Sequence, residues 1–212
     1  MNSAAGRNSL PARLLFKGAD MLDFKNKITG GFDLLLLFGR GIKKFSGTKK
    51  EALVSVILPL ALFPCSLAFS YLYPPKGMEV GYEYPQIAAT ITAQFILSFI
   101  FSNALVMGLS RLLDRGDKFW LFFSAGNWAS VALFIVTVPF MIAAASGIVG
   151  REEMDRIFVL VSCYSYVVTA CIAWRAFSLN WQLAGVVAIA TLFVNQELWH
   201  FIYSIQNIPI PW

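Results

Sequence analysis

The clearest indication of the fold of this chain is the stretch FWLFFSAGNWASVALFIVTVPFMIAAASG, residues 119–147. It contains no Asp, Glu, Lys or Arg, and as a helix it is long enough to cross the roughly 30 Å hydrocarbon core of a bilayer. The whole chain shares this character, with 58% hydrophobic and 14% charged residues and a mean hydropathy of +0.65. Soluble domains carry about 25% charged residues. The composition therefore predicts an integral membrane protein.

Four further apolar runs are long enough to span a membrane, so that the predicted spans are 51–73, 86–110, 119–147, 157–174 and 182–205. The loops between them are short, which makes neighbouring helices antiparallel and leaves no room for a soluble catalytic domain. The predicted fold class is all-α. It is an integral membrane bundle of five transmembrane helices in residues 51–212, preceded by an N-terminal amphipathic interfacial helix. Pro59 and Pro64 predict a bend in the first span. The third span is over-long, so it tilts, kinks near Pro139 or leaves the bilayer early.

The region before the first span divides into two parts. Residues 1–29 are predicted to form a basic cytoplasmic arm, and residues 30–50 an amphipathic interfacial segment. The run GGFDLLLLFGRGIKKF, residues 30–45, is too short to span, and it combines apolar with basic side chains, as a helix in the membrane interface does. A helix packed against the cytoplasmic ends of the bundle is the alternative, and both can hold. The residues predicted to contact anionic lipid are Arg40, Lys43, Lys44, Lys49, Lys50 and Arg175.

The distribution of Lys and Arg predicts the orientation. Residues 1–50 hold ten of these residues, and the loops on the same side add Arg111, Arg115, Lys118 and Arg175, whereas the opposite side holds only Lys76, Arg151 and Arg156. Because Lys and Arg are retained on the cytoplasmic side, the N-terminus should be cytoplasmic and the C-terminus periplasmic, in a bacterial inner membrane. The basic, acid-poor start of the chain also fits a transit peptide, so an organelle membrane is the alternative.

Polar residues interrupt the fifth predicted span in the stretch FVNQELWHFIY, residues 193–203. The intramembrane polar cluster is Asn195, Gln196, Glu197 and His200. Because Glu197 and His200 lie three residues apart, a carboxylate–imidazole pair can form on one helix face. This cluster is either a site for a proton or a polar substrate, or a set of hydrogen bonds that holds the bundle together. Its candidate interhelical partners are Gln94, Asn103, Asn127, Tyr164 and Tyr166.

Motifs for catalysis are missing from the sequence. There is no phosphate-binding loop, no GxGxxG after a strand, no HExxH and no GxSxG, and the chain has a single histidine. The cysteines Cys65, Cys163 and Cys171 form no CxxC pair. We therefore expect no enzyme activity, no cofactor and no metal. The basic N-terminal region has no nucleic-acid motif beside it, and positive-inside bias explains its charge.

Three stretches resemble bacterial members of the Yip-type domain family of small five-span membrane proteins. They are FDLLLLFGRGIKKFSGTKKEALVSVILPLALFP, LDRGDKFWLFFSAGNWASV and WRAFSLNWQLAGVVAIATL. The resemblance covers roughly residues 30–205 and consists of pattern and spacing. It implies a five-helix membrane domain with a scaffold or trafficking-type role. The cytoplasmic motifs through which eukaryotic members are associated with Rab-type GTPases have no counterpart here.

The sequence therefore favours a non-enzymatic polytopic membrane protein, a scaffold or accessory subunit that binds protein partners or lipids. Membrane lipids, together with a protein partner or a second copy of the chain, are the expected partners. Small residues four apart, Ser98 with Ser102 and Ala104 with Gly108, allow close helix contacts of this kind. The alternative is a small transporter or lipid-moving protein that works through Glu197 and His200.

Overall fold

The computed structural model describes residues 13–78 and 81–206, with side chains from residue 23 onward. All regular structure in these residues is helical, which confirms the all-α fold class. The α-helices are α1 Arg13–Leu35, α2 Lys49–Ser55, α3 Ile57–Leu72, α4 Tyr84–Leu112, α5 Phe119–Ala145, α6 Arg151–Phe177 and α7 Trp181–Ile205. Two short 3₁₀ helices, Gly39–Lys44 and Gly116–Lys118, precede α2 and α5.

Five helical segments are long and apolar enough to cross a membrane, which confirms the predicted spans. They are Lys49–Leu72, Tyr84–Leu112, Gly116–Ala145, Arg151–Phe177 and Trp181–Ile205. The fourth is longer than predicted because α6 begins with a charged turn, in which Arg156 pairs with Glu152 at 2.6 Å. We call the end of the bundle where α5 and α7 begin the basic end, and the other the far end.

The first span consists of two helices that meet at Val56. Proline has no N–H, and its ring displaces the carbonyl four residues earlier. Pro59 therefore cannot continue the hydrogen bonds of α2, and α2 ends at Ser55. Pro64 lies inside α3. The predicted bend of this span is thus an interruption, one turn before the first proline.

The helix α5 lies at the centre of the bundle, where it packs against α1, α2, α3 and α6. Its buried side chains include Phe122, Phe123 and Trp128, which belong to the main apolar cluster. The helix α7 packs instead between α4 and α6. The bundle thus has two halves that meet near the middle of α4, α5 and α6.

The N-terminal helix α1 enters the bundle from the basic end. Near the surface, Lys27 pairs with Glu51 at 3.2 Å, at the start of the first span. Eight residues further on, which is about 12 Å of helix, the Leu35 carbonyl accepts a hydrogen bond from Tyr164, midway along α6. Leu34 and Leu35 are both buried. Residues 30–50 thus pack against the bundle, the second of the two arrangements considered, while their contact with the membrane surface stays a prediction.

The ion pairs of Lys27 stabilise this insertion. Burial alone would lower the pKa of its amine, but hydrogen bonds to Asp23 and Glu51 outweigh burial and raise the pKa above its ordinary value. The carboxylate of Glu51 also accepts a hydrogen bond from the backbone N–H of Ser46, at 2.8 Å. Glu51 therefore joins α1, the segment before α2, and α2 itself.

Two glycines let the backbones approach closely at this insertion. A Cβ atom on Gly31 would lie 2.5 Å from the carbonyl oxygen of Trp128 in α5. A Cβ atom on Gly41 would lie 2.8 Å from the carbonyl oxygen of Gly30. Real Cβ atoms do not come this near to backbone, so a larger residue at either position would separate α1 from its neighbours.

The end of α1 leaves few backbone groups without partners, although it lies inside the bundle. The N–H of Phe38 donates to the Asp33 carbonyl at 2.7 Å, and that of Leu37 donates to the Leu34 carbonyl at 2.9 Å. This is a Schellman motif, with Leu37 in the left-handed position at φ 61°. The Leu35 carbonyl is bonded to Tyr164, and the thiol of Cys171 lies 4.0 Å from the Leu37 carbonyl.

At the far end, the loop after α3 is fastened to two other helices. The hydroxyl of Tyr73 donates to Asp155 in α6 at 2.7 Å, and Tyr203 in α7 donates to the carbonyl of Lys76 at 3.1 Å. These contacts fix the first span relative to the last two.

Replacing Gly31 by alanine should destabilise the protein. The new Cβ atom would overlap backbone, and overpacking of this kind costs about 1–3 kcal/mol, which exceeds the gain in helix propensity. Thermal unfolding of the purified protein in detergent should therefore occur several degrees lower.

Gly185→Ala in α7 is the matched control, because no atom lies within 4 Å of its added Cβ. It should leave the midpoint unchanged or raise it, since alanine favours a helix by about 1 kcal/mol. Equal midpoints for Gly31→Ala and the wild type would show that α1 is not packed against α5 in this way.

Candidate functional site: an uncharged polar cavity inside the bundle

A cavity of about 460 Å³ lies in the middle of the membrane-spanning bundle. It is lined by residues of α3 to α7, and Leu35 at the end of α1 forms part of its wall. No charged residue is among the lining residues that the structure describes. Amides and hydroxyls supply its polar surface, among them those of Gln94, Ser98, Ser102, Asn103, Asn127 and Asn195.

Gln94 in α4 lines this cavity, and its side chain has a buried polar atom without a partner. Its side-chain nitrogen donates to the Ser98 hydroxyl at 2.9 Å, but its carbonyl oxygen is buried and has no hydrogen-bond partner among the described residues. Because a hydroxyl can donate as well as accept, turning the amide over would leave its NH₂ group unpartnered instead. The residue is only 9% exposed. Buried amides without a partner are rare, so this one indicates a place for a ligand atom.

Asn195 links α7 to two other helices beside the cavity. Its carbonyl oxygen accepts a hydrogen bond from Ser102 in α4 at 3.2 Å, and its amide donates to the Tyr166 hydroxyl in α6 at 3.4 Å. This member of the predicted cluster thus makes interhelical hydrogen bonds. Ser102 was not among the predicted partners, although its place in a small-residue step does mark it as facing another helix.

The other three members of the predicted cluster lie elsewhere. Glu197 is exposed, and no described residue forms a hydrogen bond or ion pair with it. His200 accepts a hydrogen bond from Gln196, four residues earlier, at 3.1 Å. The Glu197–His200 pair that the spacing allows is therefore not formed in the structure. At 100° per residue, Glu197 lies about 200° around the helix from Asn195, so that it points away from the bundle.

Of the predicted interhelical partners, only Tyr166 contacts the cluster. Asn103 donates to the Phe99 carbonyl of its own helix at 2.6 Å, and Asn127 donates to Ser55 at 2.8 Å. Tyr164 bonds the end of α1, as described above. Gln94, Asn103 and Asn127 nevertheless line the same cavity as Asn195. The sequence therefore placed residues of one site together but did not give their hydrogen-bond partners. An amide can bond within its own helix, as that of Asn103 does, or to a residue of another helix that was not considered, as that of Asn127 does.

A groove of about 350 Å³ on the lipid-facing surface adjoins the cavity. It lies between α3, α5 and α6, and Ser130 and Leu133 line both spaces. Ser130 is exposed on the outside of the bundle. Most of the remaining lining is apolar, with Phe69, Phe134, Met141, Phe158 and Val161. Because Ser130 and Leu133 line both, the groove and the polar cavity are neighbours in the fold.

The residues predicted to contact lipid have different environments. Arg40 and Lys44 pair with the carboxylate of Asp33, at 2.9 and 2.8 Å. The amine of Lys49 lies 5.7 Å from the centre of the Trp120 ring. The guanidinium group of Arg175 lies over the ring of Trp174. Lys43 and Lys50 are exposed and form no ion pair with a described residue.

The role of Asp33 was not predicted, although Asp33 is the only acidic residue between residues 24 and 50. Its side chain is 10% exposed. Hydrogen bonding from Lys44, followed by that from Arg40, holds the pKa of this carboxyl below its ordinary value. An acid in an apolar run, followed by basic residues seven and eleven positions later, was the available signal.

The described part of the chain offers no site for a metal, since nowhere in it do three His, Cys, Asp or Glu side chains cluster. The three cysteines are unpaired. Comparison with protein-family models, curated proteins and solved structures finds no match to this chain. The resemblance to Yip-type domains therefore stays a prediction.

Replacing Asp33 by asparagine should destabilise the protein in a pH-dependent way. Hydrogen bonds to charged groups contribute about 1.5–3 kcal/mol, and their loss should lower the unfolding midpoint by roughly 5 °C at pH 7. Because the folded pKa of Asp33 is depressed, its contribution is present above its ordinary pKa and is lost as the pH falls through the folded value. The gap between the variant and the wild type should therefore narrow in strong acid.

Glu152→Gln is the control for this experiment. It removes a carboxylate that is 77% exposed and lies 2.6 Å from Arg156, which is also exposed. Exposed pairs contribute about 0–1 kcal/mol, so the midpoint should change little. A pH-independent loss in Asp33→Asn would contradict the assigned ion pairs.

Proposed function

We propose that this protein is a non-enzymatic, polytopic membrane protein that binds an uncharged amphipathic lipid in its intramembrane cavity. The unpartnered amide of Gln94, buried at the wall of this cavity, is the observation that carries the proposal. The volume of about 460 Å³ lies within the roughly 300–1,000 Å³ typical of ligand pockets.

The lining determines the class of ligand. An ionised headgroup would meet no opposite charge in the cavity, and charge inside a membrane is costly. Hydroxyl, ester or amide groups would instead find the amides of Gln94, Asn103 and Asn127. The apolar chain of such a lipid would extend past Ser130 and Leu133 into the groove between α3, α5 and α6.

The proposed setting is a bacterial inner membrane, with the basic end of the bundle in the cytoplasm. The excess of Lys and Arg at this end supports the orientation. A scaffold or accessory role is compatible with lipid binding. Support for a partner helix comes from Ala104 and Gly108 on α4, which are both exposed, with nothing within 4 Å of a Cβ on Gly108.

The alternative, a transporter that works through Glu197 and His200, has lost its main support. The two side chains are not paired, and Glu197 lies on the outer surface of α7. No specific observation favours it over lipid binding.

Lipid extraction tests the proposal directly. We expect purified wild-type protein to carry an uncharged lipid, identified by mass spectrometry, at close to one molecule per chain. Gln94→Leu should lower its amount about fivefold or more, because a hydrogen bond to a buried amide contributes roughly 1 kcal/mol or more. Ser130→Trp should lower it as well by closing the lateral opening.

Stability distinguishes loss of the ligand from loss of the fold. Replacing an unpartnered buried amide by an apolar side chain is neutral or stabilising. Delipidated Gln94→Leu should therefore unfold at or above the wild-type temperature. Finding no lipid enriched over a detergent-matched control, or finding only anionic lipid unaffected by Gln94→Leu, would refute the proposal.

The variant Glu197→Gln distinguishes lipid binding in the cavity from transport through Glu197 and His200. Because Glu197 is exposed and unpaired among the described residues, we expect this variant to retain the bound lipid and the stability of the wild type. Loss of a transport activity with folding and lipid content intact would instead support the transporter.

A further inference from the structure

We propose that Arg175, together with the segment Leu36–Arg40, binds the phosphate headgroup of an anionic phospholipid at the basic end of the bundle. This site is separate from the uncharged cavity and takes a ligand of opposite chemistry. Three features support the inference. The guanidinium group of Arg175 is fixed and has no carboxylate partner among the described residues, Arg40 follows the glycine that it contacts, and exposed apolar side chains lie about one helical turn deeper in the membrane.

The guanidinium group of Arg175 is held in place from two sides. Its central carbon lies 3.8 Å from the centre of the Trp174 ring. On the other side, a Cβ atom on Gly39 would come within 3.0 Å of that carbon, so the group rests directly against the backbone of Gly39. The planar group is therefore oriented before any ligand binds, as bidentate recognition of phosphate requires.

The charge of Arg175 is not neutralised within the described structure. It forms no ion pair with a described carboxylate, and its side chain is exposed. Nearby, Arg40 and Lys44 share the single carboxylate of Asp33. Three cations thus face one anion around the segment Phe38–Gly39, which leaves an excess of two positive charges. A lipid phosphate would supply the missing negative charge.

Apolar side chains next to these charges fit the acyl chains of the same lipid. Leu36 is 59% and Phe38 48% exposed. The Leu37 carbonyl lies near Cys171, one helical turn further into the membrane than Arg175. A cleft of about 390 Å³ next to these side chains is lined by Leu37, Phe38, Gly39 and Arg40.

The order of these groups along the membrane normal distinguishes a phospholipid from a soluble phosphate. The guanidinium lies two residues before the end of α6, at the depth of headgroups, and the exposed leucines lie below it. A soluble anion would use only the charges, whereas a phospholipid uses the apolar surface as well. The exposed side chains of Leu36 and Phe38, at the turn that ends α1, would thus pack against the acyl chains of the lipid.

Native mass spectrometry of the full-length, delipidated protein in detergent tests the site. The probes are phosphatidylglycerol, zwitterionic phosphatidylcholine, and glycerol phosphate, which is the headgroup without chains. We expect phosphatidylglycerol to bind about tenfold more tightly than phosphatidylcholine. Both lipids carry the phosphate, but the choline group adds a positive charge to a site that already has an excess of positive charge. Glycerol phosphate should compete weakly.

Three variants separate a built site from general surface charge. Arg175→Gln should weaken phosphatidylglycerol binding about tenfold. Arg115→Gln makes the same substitution at an exposed residue that forms no ion pair with a described residue, and it should change the affinity less than about twofold. Gly39→Ala keeps every charge but displaces the guanidinium group, and it should weaken binding about threefold or more.

Equal losses in Arg175→Gln and Arg115→Gln would overturn the proposal, because they would show a diffuse electrostatic effect. Full affinity in Gly39→Ala would do the same. Competition by glycerol phosphate as strong as that by phosphatidylglycerol would identify a soluble phosphate as the ligand and reject the lipid.

Discussion

Within a bilayer, each backbone N–H and C=O group needs a partner inside the protein, since no water replaces it. The end of α1 shows how strongly this requirement shapes the structure. A helix that stops inside the bundle exposes its last carbonyls. Here the Schellman turn at Leu37 satisfies two of them, and Tyr164 satisfies the carbonyl of Leu35. The turn can lie at this depth only because a helix that spans the membrane supplies the missing donor.

The same requirement makes the one buried amide without a hydrogen-bond partner among the described residues, that of Gln94, significant. Serine and threonine hydroxyls in the spans mostly bond to carbonyls of their own helix, as Ser110, Thr137 and Thr191 do. Among the described residues, the carbonyl oxygen of Gln94 is the single buried side-chain nitrogen or oxygen that lacks a hydrogen-bond partner. The side chain of Gln94 lines the cavity of about 460 Å³ inside the bundle. An unsatisfied amide costs free energy only as long as the cavity holds nothing that bonds to it.

The sequence predicted the spans well because hydropathy is a local property. Each span can be identified without knowing its neighbours, and the five are where the apolar runs are. Contacts between spans depend on the rotation of each helix, which single residues do not reveal. Asn195 and Glu197 are two positions apart, yet one faces the bundle and the other the lipid. The pairing of Asp33 and the depth of Leu35 depend in turn on Gly31 and Gly41, whose role appears only once α5 lies beside them.

The end of α1 connects the two proposed sites. Leu35 forms part of the cavity wall, and Leu37, two residues later, lines the cleft beside Arg40. Both positions are fixed by the close packing of α1 against α5 at Gly31 and by the ion pairs of Asp33. An insertion that only anchored the chain would need neither a polar cavity on one side nor an unpaired arginine on the other. The inserted turn therefore forms the boundary between an uncharged site inside the bundle and a cationic one at its surface, and its packing maintains both.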